Sequence, residues 1–221
     1  MKTLNLTVVR HGKTYFNRYN KLQGWGNSPL TDEGIADAHQ AGERLADVPF
    51  KAAYSSDTTR AMDTANIILA ANQTATDISL QTAWNFREEF YGSYEGSNMD
   101  VAWTNAGATV GLSTYAAIVD AYGVDKTKDL LKAADPWHDA EDATEYWQRV
   151  EAGFKLILDN PALQDGDDVL LISHGNTLIS LANRYGQGKI QVHERPANGS
   201  IAKMQLSAEG ISISMYNNQI I

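Results

Sequence analysis

Cysteine is absent from this chain of 221 residues, which excludes disulfides, thiolate metal sites and a cysteine nucleophile. Long apolar runs are also missing, since no stretch approaches the roughly 18 residues that a membrane-spanning helix needs. Basic residues are scarce: 18 Lys and Arg stand against 27 Asp and Glu, which gives a net charge of −9. A negative body repels nucleic acids and anionic lipids. We therefore expect no nucleic-acid partner and no membrane partner, and an anionic substrate would need a local basic pocket.

The start of the chain does not have the pattern of a signal peptide, because the polar Asn5 and Thr7 interrupt its apolar residues. A cytoplasmic location is therefore our expectation. The length and the 43% hydrophobic content suit one α/β domain over residues 1–221, with a core large enough to be stable alone. The sequence gives no prediction of the oligomeric state.

Two short segments, Arg10-His11-Gly12 and Ser173-His174-Gly175, each follow a short apolar run. Such continuous runs, rich in β-branched residues, indicate strands buried in a mostly parallel sheet. Ligands of such sheets bind beyond the carboxyl ends of the strands. If the two strands are neighbours, the two His-Gly pairs open onto one crevice.

The remaining pattern indicates a three-layer α/β/α sandwich with a mostly parallel central sheet. Further strands are predicted at 52–56 and 78–80, and a hairpin at 200–206 and 211–216. Helices are predicted from Thr31 with Ile35 on the buried stripe, and over 59–71, 143–158 and 177–185. Residues of about 97–140 break this pattern, being alanine-rich and weakly helical, and we interpret them as an inserted helical cap.

The residues that follow the strands suit phosphoryl transfer. An imidazole such as that of His11 can attack phosphorus and form a covalent intermediate. Arginines present planar forks to phosphate oxygens, and Arg10 and Arg60 are placed to do so. His174 would add a further donor. An acid must protonate the leaving oxygen, and Glu88 and Glu89 are the candidates.

Taken in order, these segments resemble the histidine phosphatase superfamily, with its phosphoglycerate-mutase-like fold. The resemblance covers residues 4–96 and 143–186. Its motifs are Arg10-His11-Gly12-Lys13-Thr14 with Asn17, Gln23-Gly24 through Ser28-Pro29-Leu30-Thr31, Ser55-Ser56-Asp57-Thr58-Thr59-Arg60-Ala61, Glu88 four residues before Gly92, and Ser173-His174-Gly175.

The resemblance implies a role for each of these residues. His11 would accept the phosphoryl group, while Arg10, Arg60, His174 and Asn17 would hold it. Glu88, rather than its neighbour Glu89, would be the proton donor, on its spacing to the glycine at position 92. A substrate pocket would include Gln23, Gly24 and Tyr91. The resemblance implies no metal and no cofactor.

The superfamily contains phosphatases and mutases, and the cap is expected to decide between them. No arginine lies between Arg87 and Arg149, whereas this region has the aromatic residues Trp103, Tyr115, Tyr122 and Trp137. If these form a wall rather than merely packing the cap, they suit an apolar or neutral leaving group. We therefore predict a metal-independent phosphatase acting on a small phosphorylated metabolite through a phosphohistidine. The alternatives are a phosphoglycerate mutase-type phosphotransferase, a non-catalytic binder of a phosphorylated ligand, and a protein that docks a phosphoprotein.

Overall fold

The computed structural model describes residues 2–75 and 77–221. One mixed sheet runs through the chain in the order β3-β2-β4-β1-β5-β6-β7. The strands β3, β2, β4 and β1 are parallel, and the strands beyond β1 are antiparallel. The strand bounds are β1 Thr3–Arg10, β2 Ala52–Ser55, β3 Leu80–Thr82, β4 Asp168–Ser173, β5 Ile201–Ser207, β6 Gly210–Tyr216 and β7 Gln219–Ile220.

Helices cover both faces of this sheet, which gives the predicted three layers. Their bounds are α1 Tyr15–Arg18, α2 Asp32–Arg44, α3 Thr59–Ala71, α4 Met99–Gly107, α5 Tyr115–Tyr122, α6 Val124–Ala134, α7 Ala143–Leu158 and α8 Gly175–Tyr185. Alternate side chains of β1 enter different layers, because successive residues of a strand point to opposite faces. Leu6 and Val8 pack in the layer of α7 and α8, whereas Val9 packs in that of α2 and α3.

Local sequence signals explain where the main helices begin. The Thr31 side chain accepts a hydrogen bond from Gly34 N and caps α2. Asp142 and Glu145 form a reciprocal capping box at the start of α7. Each cap satisfies backbone N–H groups that have no partner within the helix. The bounds of α7, Ala143–Leu158, confirm the predicted helix over 143–158.

The segment 97–140 contains α4, α5 and α6, which are more helical than its composition suggested. Their inner side chains form a separate apolar cluster that includes Leu22, Trp103, Ile118 and Leu131. Packing of this kind supplies most of the stability of a helix whose intrinsic propensity is weak. The bounds of the cap and the single-domain organisation remain predictions.

Three details differ from the sequence prediction. Ile35 was placed on the buried stripe of α2, but its side chain is 40% exposed, because the stripe is carried by small residues such as Ala38 and Ala41. The short edge strand lies at Leu80–Thr82, where it pairs with β2, rather than at 78–80. The final helix begins at Gly175, two residues before the predicted position 177. In the described ranges, no helix is both long and apolar enough to cross a membrane.

Candidate active site

The carboxyl ends of β1 and β4 lie side by side and bring the two His-Gly segments together. The strands pair in parallel, with Arg10 opposite Ser173. The rings of His11 and His174, which follow directly, have their centroids 5.2 Å apart. The predicted neighbourhood of these strands is therefore confirmed, and both imidazoles are buried.

The geometry around His11 fixes the tautomer of its neutral ring. Its Nδ1 lies 2.8 Å from the Gly12 carbonyl oxygen. A carbonyl only accepts, so Nδ1 carries the proton and the Nε2 lone pair is free. Burial, and then the charges of Arg60 and Arg10, lower the pKa of His11 well below 6.5. The ring is therefore neutral at pH 7, which is the form that can act as a nucleophile.

Close backbone contacts hold the loop that carries His11. The Gly12 N–H donates to Thr64 Oγ1 over 3.0 Å, and the His11 carbonyl accepts from Asn198 Nδ2 over 2.9 Å. A Cβ on Gly12 would lie 2.1 Å from the Gly34 carbonyl oxygen. Only glycine permits this approach.

Two buried arginines flank the histidines without a carboxylate bound directly to them. Arg60 donates to the carbonyls of Gly26 and Gly24 at 3.0 and 2.7 Å, and Arg10 donates to the Pro196 carbonyl. Their Nε atoms have no hydrogen-bond partner among the described residues. Burial lowers the pKa of each to about 10, so both remain charged at pH 7. Buried cations with no carboxylate of the described residues bonded directly to them favour an anionic ligand.

His174 connects Arg60 to the end of β2. Its Nδ1 lies 3.2 Å from Arg60 Nη2, and its Nε2 lies 3.0 Å from Ser56 Oγ. Because a guanidinium only donates, Nδ1 accepts and the proton is on Nε2. Burial, followed by the charge of Arg60, lowers the pKa of His174 well below 6.5. Ser56 Oγ therefore accepts a hydrogen bond from His174 Nε2, and both ring nitrogens of His174 are engaged.

Glu88 lies at the amino end of α8. One carboxylate oxygen accepts from the Thr177 N–H and hydroxyl, each at 2.9 Å, and the other accepts from the Asn176 N–H at 2.7 Å. A helix amino end favours a carboxylate through its free N–H groups and its dipole. The charge of Glu88 also acts on Arg10 and Arg60, which places it on the side of the arginines.

The neighbouring Glu89 lies on the side of the cap segment instead. Its Oε2 is 4.0 Å from Nζ of Lys128 in α6, and its Oε1 has no hydrogen-bond partner in the described chain. Burial raises its pKa to about 8 although Lys128 opposes this. The location of Glu88 beside the arginines favours it as the acid that protonates the leaving oxygen. The raised pKa of Glu89 instead makes Glu89 the carboxyl group that is protonated at neutral pH. The sequence did not distinguish these environments.

The structure places the other predicted site residues as follows. Asn17 lies in the short helix α1 and forms a capping box with Thr14. Gln23 is buried and accepts from the Thr14 hydroxyl, and its Nε2 has no hydrogen-bond partner within the described ranges. A Cβ on Gly24 would lie 2.0 Å from the Glu89 carbonyl oxygen, so close packing requires glycine there. The Tyr91 hydroxyl accepts from Asn176 Nδ2 over 2.7 Å.

The aromatic residues of the cap segment do not form one wall. Trp103 is buried and packs on Tyr115 with ring centroids 5.0 Å apart. Tyr122 and Trp137 are 53% and 71% exposed. The sequence argument for a wholly apolar environment of the leaving group is therefore weakened.

Basic residues near the site are mostly engaged elsewhere. Arg149 binds Glu141 at 2.6 Å, Arg87 binds Asp57 at 2.6 Å, and Lys128 donates to Ser180 Oγ at 2.9 Å. One basic residue that sequence analysis missed, Arg195, comes from the loop after α8. Its Nε donates to Asn176 Oδ1 over 3.1 Å. Neither Arg195 nor Asn176 belongs to a local pattern that marks a site, although Asn176 follows the Ser-His-Gly segment directly.

Buried histidines and arginines at the carboxyl ends of parallel strands are typical of α/β proteins that bind phosphorylated ligands. A family model described as "Histidine phosphatase superfamily (branch 1)" matches residues 6–219. The chain therefore belongs to the histidine phosphatase superfamily, and the resemblance found in the sequence is confirmed. Members of this superfamily are phosphatases or phosphomutases, which supports an enzyme.

Individual relatives carry different activities in their names. A 2,3-bisphosphoglycerate-dependent phosphoglycerate mutase of Bifidobacterium longum (strain DJO10A) is 31% identical over 192 residues, covering 81% of this chain and 76% of that protein. The fructose-2,6-bisphosphatase TIGAR of Xenopus laevis is 41% identical over 97 residues, covering 43% and 35%. The crystal structure of phosphoglycerate mutase from Bacillus anthracis str. Sterne has a TM-score of 0.89 at 29% identity, covering 98% of this chain and 94% of that one.

Proposed function

We propose that this protein is a phosphatase that hydrolyses a small phosphate monoester through a phosphohistidine formed on His11. The observation that carries the proposal is a neutral imidazole with a free Nε2, flanked by the buried cations of Arg10 and Arg60. A transferring phosphoryl group spreads charge over three oxygens, so positioning and charge stabilisation supply most of the catalysis.

In the first step the lone pair of His11 Nε2 attacks phosphorus. The phosphorus–oxygen bond to the leaving group breaks as the P–N bond forms. Glu88, which must first take up a proton because the amino end of α8 favours its carboxylate, gives that proton to the departing oxygen. Arg10 and Arg60 would hold the equatorial oxygens, with Asn17 as a further donor. The resemblance implied that His174 also holds phosphate. Because Arg60 and Ser56 engage both of its ring nitrogens, we assign it instead the role of keeping Arg60 in place.

In the second step water replaces the leaving group. The Glu88 carboxylate takes a proton from the water as its oxygen attacks phosphorus, and the P–N bond breaks to release phosphate and restore His11. One carboxyl group thus serves first as acid and then as base. Each of the proposed steps is written with protein groups and water alone.

Water as the acceptor is supported by the basic residues near the cap. Arg149, Arg87 and Lys132 are each paired with carboxylates, so these three do not form a second cluster for a bisphosphorylated intermediate, and Arg195 is a single cation. The names of the relatives, and a TM-score of 0.89 with a phosphoglycerate mutase, favour a second candidate, phosphoryl transfer back to a sugar acid.

The two candidates differ in where the phosphoryl group goes. Incubation of 3-phosphoglycerate with the protein in ¹⁸O-labelled water, with and without 2,3-bisphosphoglycerate, separates them. A phosphatase releases inorganic phosphate that contains one ¹⁸O atom. A mutase forms 2-phosphoglycerate without label, and that outcome would replace the phosphatase proposal.

The covalent step is tested with a ³²P-labelled monoester and quenching in alkaline detergent, followed by acid treatment of the labelled protein. We expect an acid-labile adduct on His11 and no turnover in the His11→Ala variant, because no other neutral imidazole has a free nitrogen beside the arginines. His39→Ala is the matched control, since His39 is exposed on α2. Label on another residue, or full activity of His11→Ala, would refute the mechanism.

A further inference from the structure

Arg195 joins the candidate site to the start of α4. Its Nε donates to Asn176 Oδ1, and its Nη1 lies 2.9 Å from Met99 Sδ. A thioether is only a weak acceptor and carries no charge. No carboxylate of the described chain lies within ion-pair distance of this guanidinium. The side chain is therefore held in place without being neutralised.

Arg195 is also close enough to affect the proposed phosphate-binding group. After burial, its charge is the next largest cause that lowers the pKa of Arg10. Two cations that repel each other across a half-buried site are costly unless an anion lies near both. Glu88 offsets part of this repulsion, because its charge raises the pKa of Arg10. An anionic ligand that extends toward Arg195 would offset the remainder.

The position of Asn176 shows which part of such a ligand Arg195 would meet. The Asn176 N–H donates to Glu88, the proposed acid for the leaving oxygen, while its side chain contacts Tyr91 and Arg195. The leaving group must depart from the Glu88 side of phosphorus. Arg195 thus borders the space for the leaving group and also lies near Arg10.

Charge balance points to the same assignment. A phosphate monoester dianion is matched by Arg10 and Arg60, which leaves Arg195 as an additional cation. Arg149 cannot provide a substitute, because Glu141 and three backbone carbonyls occupy its guanidinium.

We propose that Arg195 determines specificity by binding a second acidic group, a carboxylate or a second phosphate, on the leaving group of the substrate. This inference rests on the proposed function, because it takes the phosphoryl group to be bound by Arg10 and Arg60. It replaces the neutral leaving group that the aromatic composition of the cap had favoured.

The test compares substrates that differ in one group only. We would measure kcat/KM for 3-phosphoglycerate and for glycerol 3-phosphate, which has a hydroxymethyl group in place of the carboxylate. A second pair, propane-1,3-diol bisphosphate and its monophosphate, tests a second phosphate. A hydrogen bond to a charged group is worth enough that Arg195→Gln should lower kcat/KM for the acidic member of one pair by roughly 10- to 100-fold.

For the compound of each pair that lacks the second acidic group, kcat/KM should change by less than about 2-fold, since this compound makes no charged contact with Arg195. Arg195→Lys should recover part of the loss, mainly in KM. Arg184→Gln is the matched control, because Arg184 is a half-exposed arginine of α8 that pairs with Glu151. The pair that responds identifies the second group as a carboxylate or a phosphate.

Equal losses on both members of both pairs, or no loss on any, would overturn the assignment of Arg195. Failure of the proposed function is a separate result, seen as a missing phosphohistidine in the wild-type protein or as formation of unlabelled 2-phosphoglycerate. In that case the same four compounds are compared by calorimetric binding. The assignment of Arg195 is still supported if Arg195→Gln weakens the binding of only a compound with the second acidic group, and it is refuted if the variant does not.

Discussion

Replacement of Glu89 by glutamine should stabilise this protein at neutral pH, and the size of the effect can be worked out from its surroundings. The carboxyl group is fully buried, and burial raises its pKa from 4.5 to about 8. The opposing charge of Lys128 lies 4.0 Å away and does not offset the loss of solvation. The folded protein therefore keeps Glu89 protonated at pH 7, whereas the unfolded chain releases the proton.

That difference in protonation gives the magnitude. A carboxyl whose pKa is raised on folding contributes its full stability below pH 4.5, and this contribution is lost as the pH rises from 4.5 to about 8. Each pH unit in this interval costs about 1.4 kcal/mol, so the cost at pH 7 is roughly 3 kcal/mol. Glutamine resembles the neutral acid and does not titrate. Glu89→Gln should thus raise the free energy of unfolding by roughly 3 kcal/mol at pH 7 and by almost nothing at pH 4.5.

The measurement is urea unfolding followed by circular dichroism between pH 4.5 and 8.5. Glu88→Gln is the matched control, because Glu88 accepts hydrogen bonds from α8 that an amide cannot fully replace. It should lower the free energy of unfolding by about 2 kcal/mol. A destabilised Glu89→Gln at pH 7, or an effect of equal size at pH 5 and 8, would show that Glu89 is ionised and paired with Lys128.

Three further outcomes follow from the site. Glu88→Gln should slow turnover of an alkyl phosphate about 10²- to 10⁴-fold but affect an aryl phosphate with an acidic phenol much less; if only Glu89→Gln shows this dependence on the leaving group, the acid is Glu89. Because burial lowers the pKa of His11 and His174 well below 6.5, the unfolded chain takes up protons that the folded protein does not. The free energy of unfolding should therefore fall as the pH drops below about 6.5. For a variant with glutamine at both positions, the free energy of unfolding should fall less between pH 7.5 and pH 5.5, as measured by urea titration. EDTA should leave phosphate release unchanged, and a loss restored by one divalent ion would indicate a metal-dependent reaction.

The sequence by itself determined the elements whose signals are local. The apolar runs before His11 and His174 predicted two buried strands, because a strand covered on both faces is apolar at nearly every position. The periodic segment at 143–158 predicted α7, because its apolar stripe lies within one stretch of chain. The ordered motifs also indicated the family, since each consists of a few adjacent residues.

Tertiary structure alone decided the properties that depend on distant segments. Glu88 and Glu89 are adjacent in the chain, yet one meets the amino end of α8 and the other meets Lys128 in α6. Successive side chains here point to different neighbours, so their solvation and charge differ. Arg195 likewise lies far along the chain from Arg10 and approaches it only because the loop after α8 returns past the end of β1. Burial and Coulomb interactions depend on distance in space, which a linear pattern does not record.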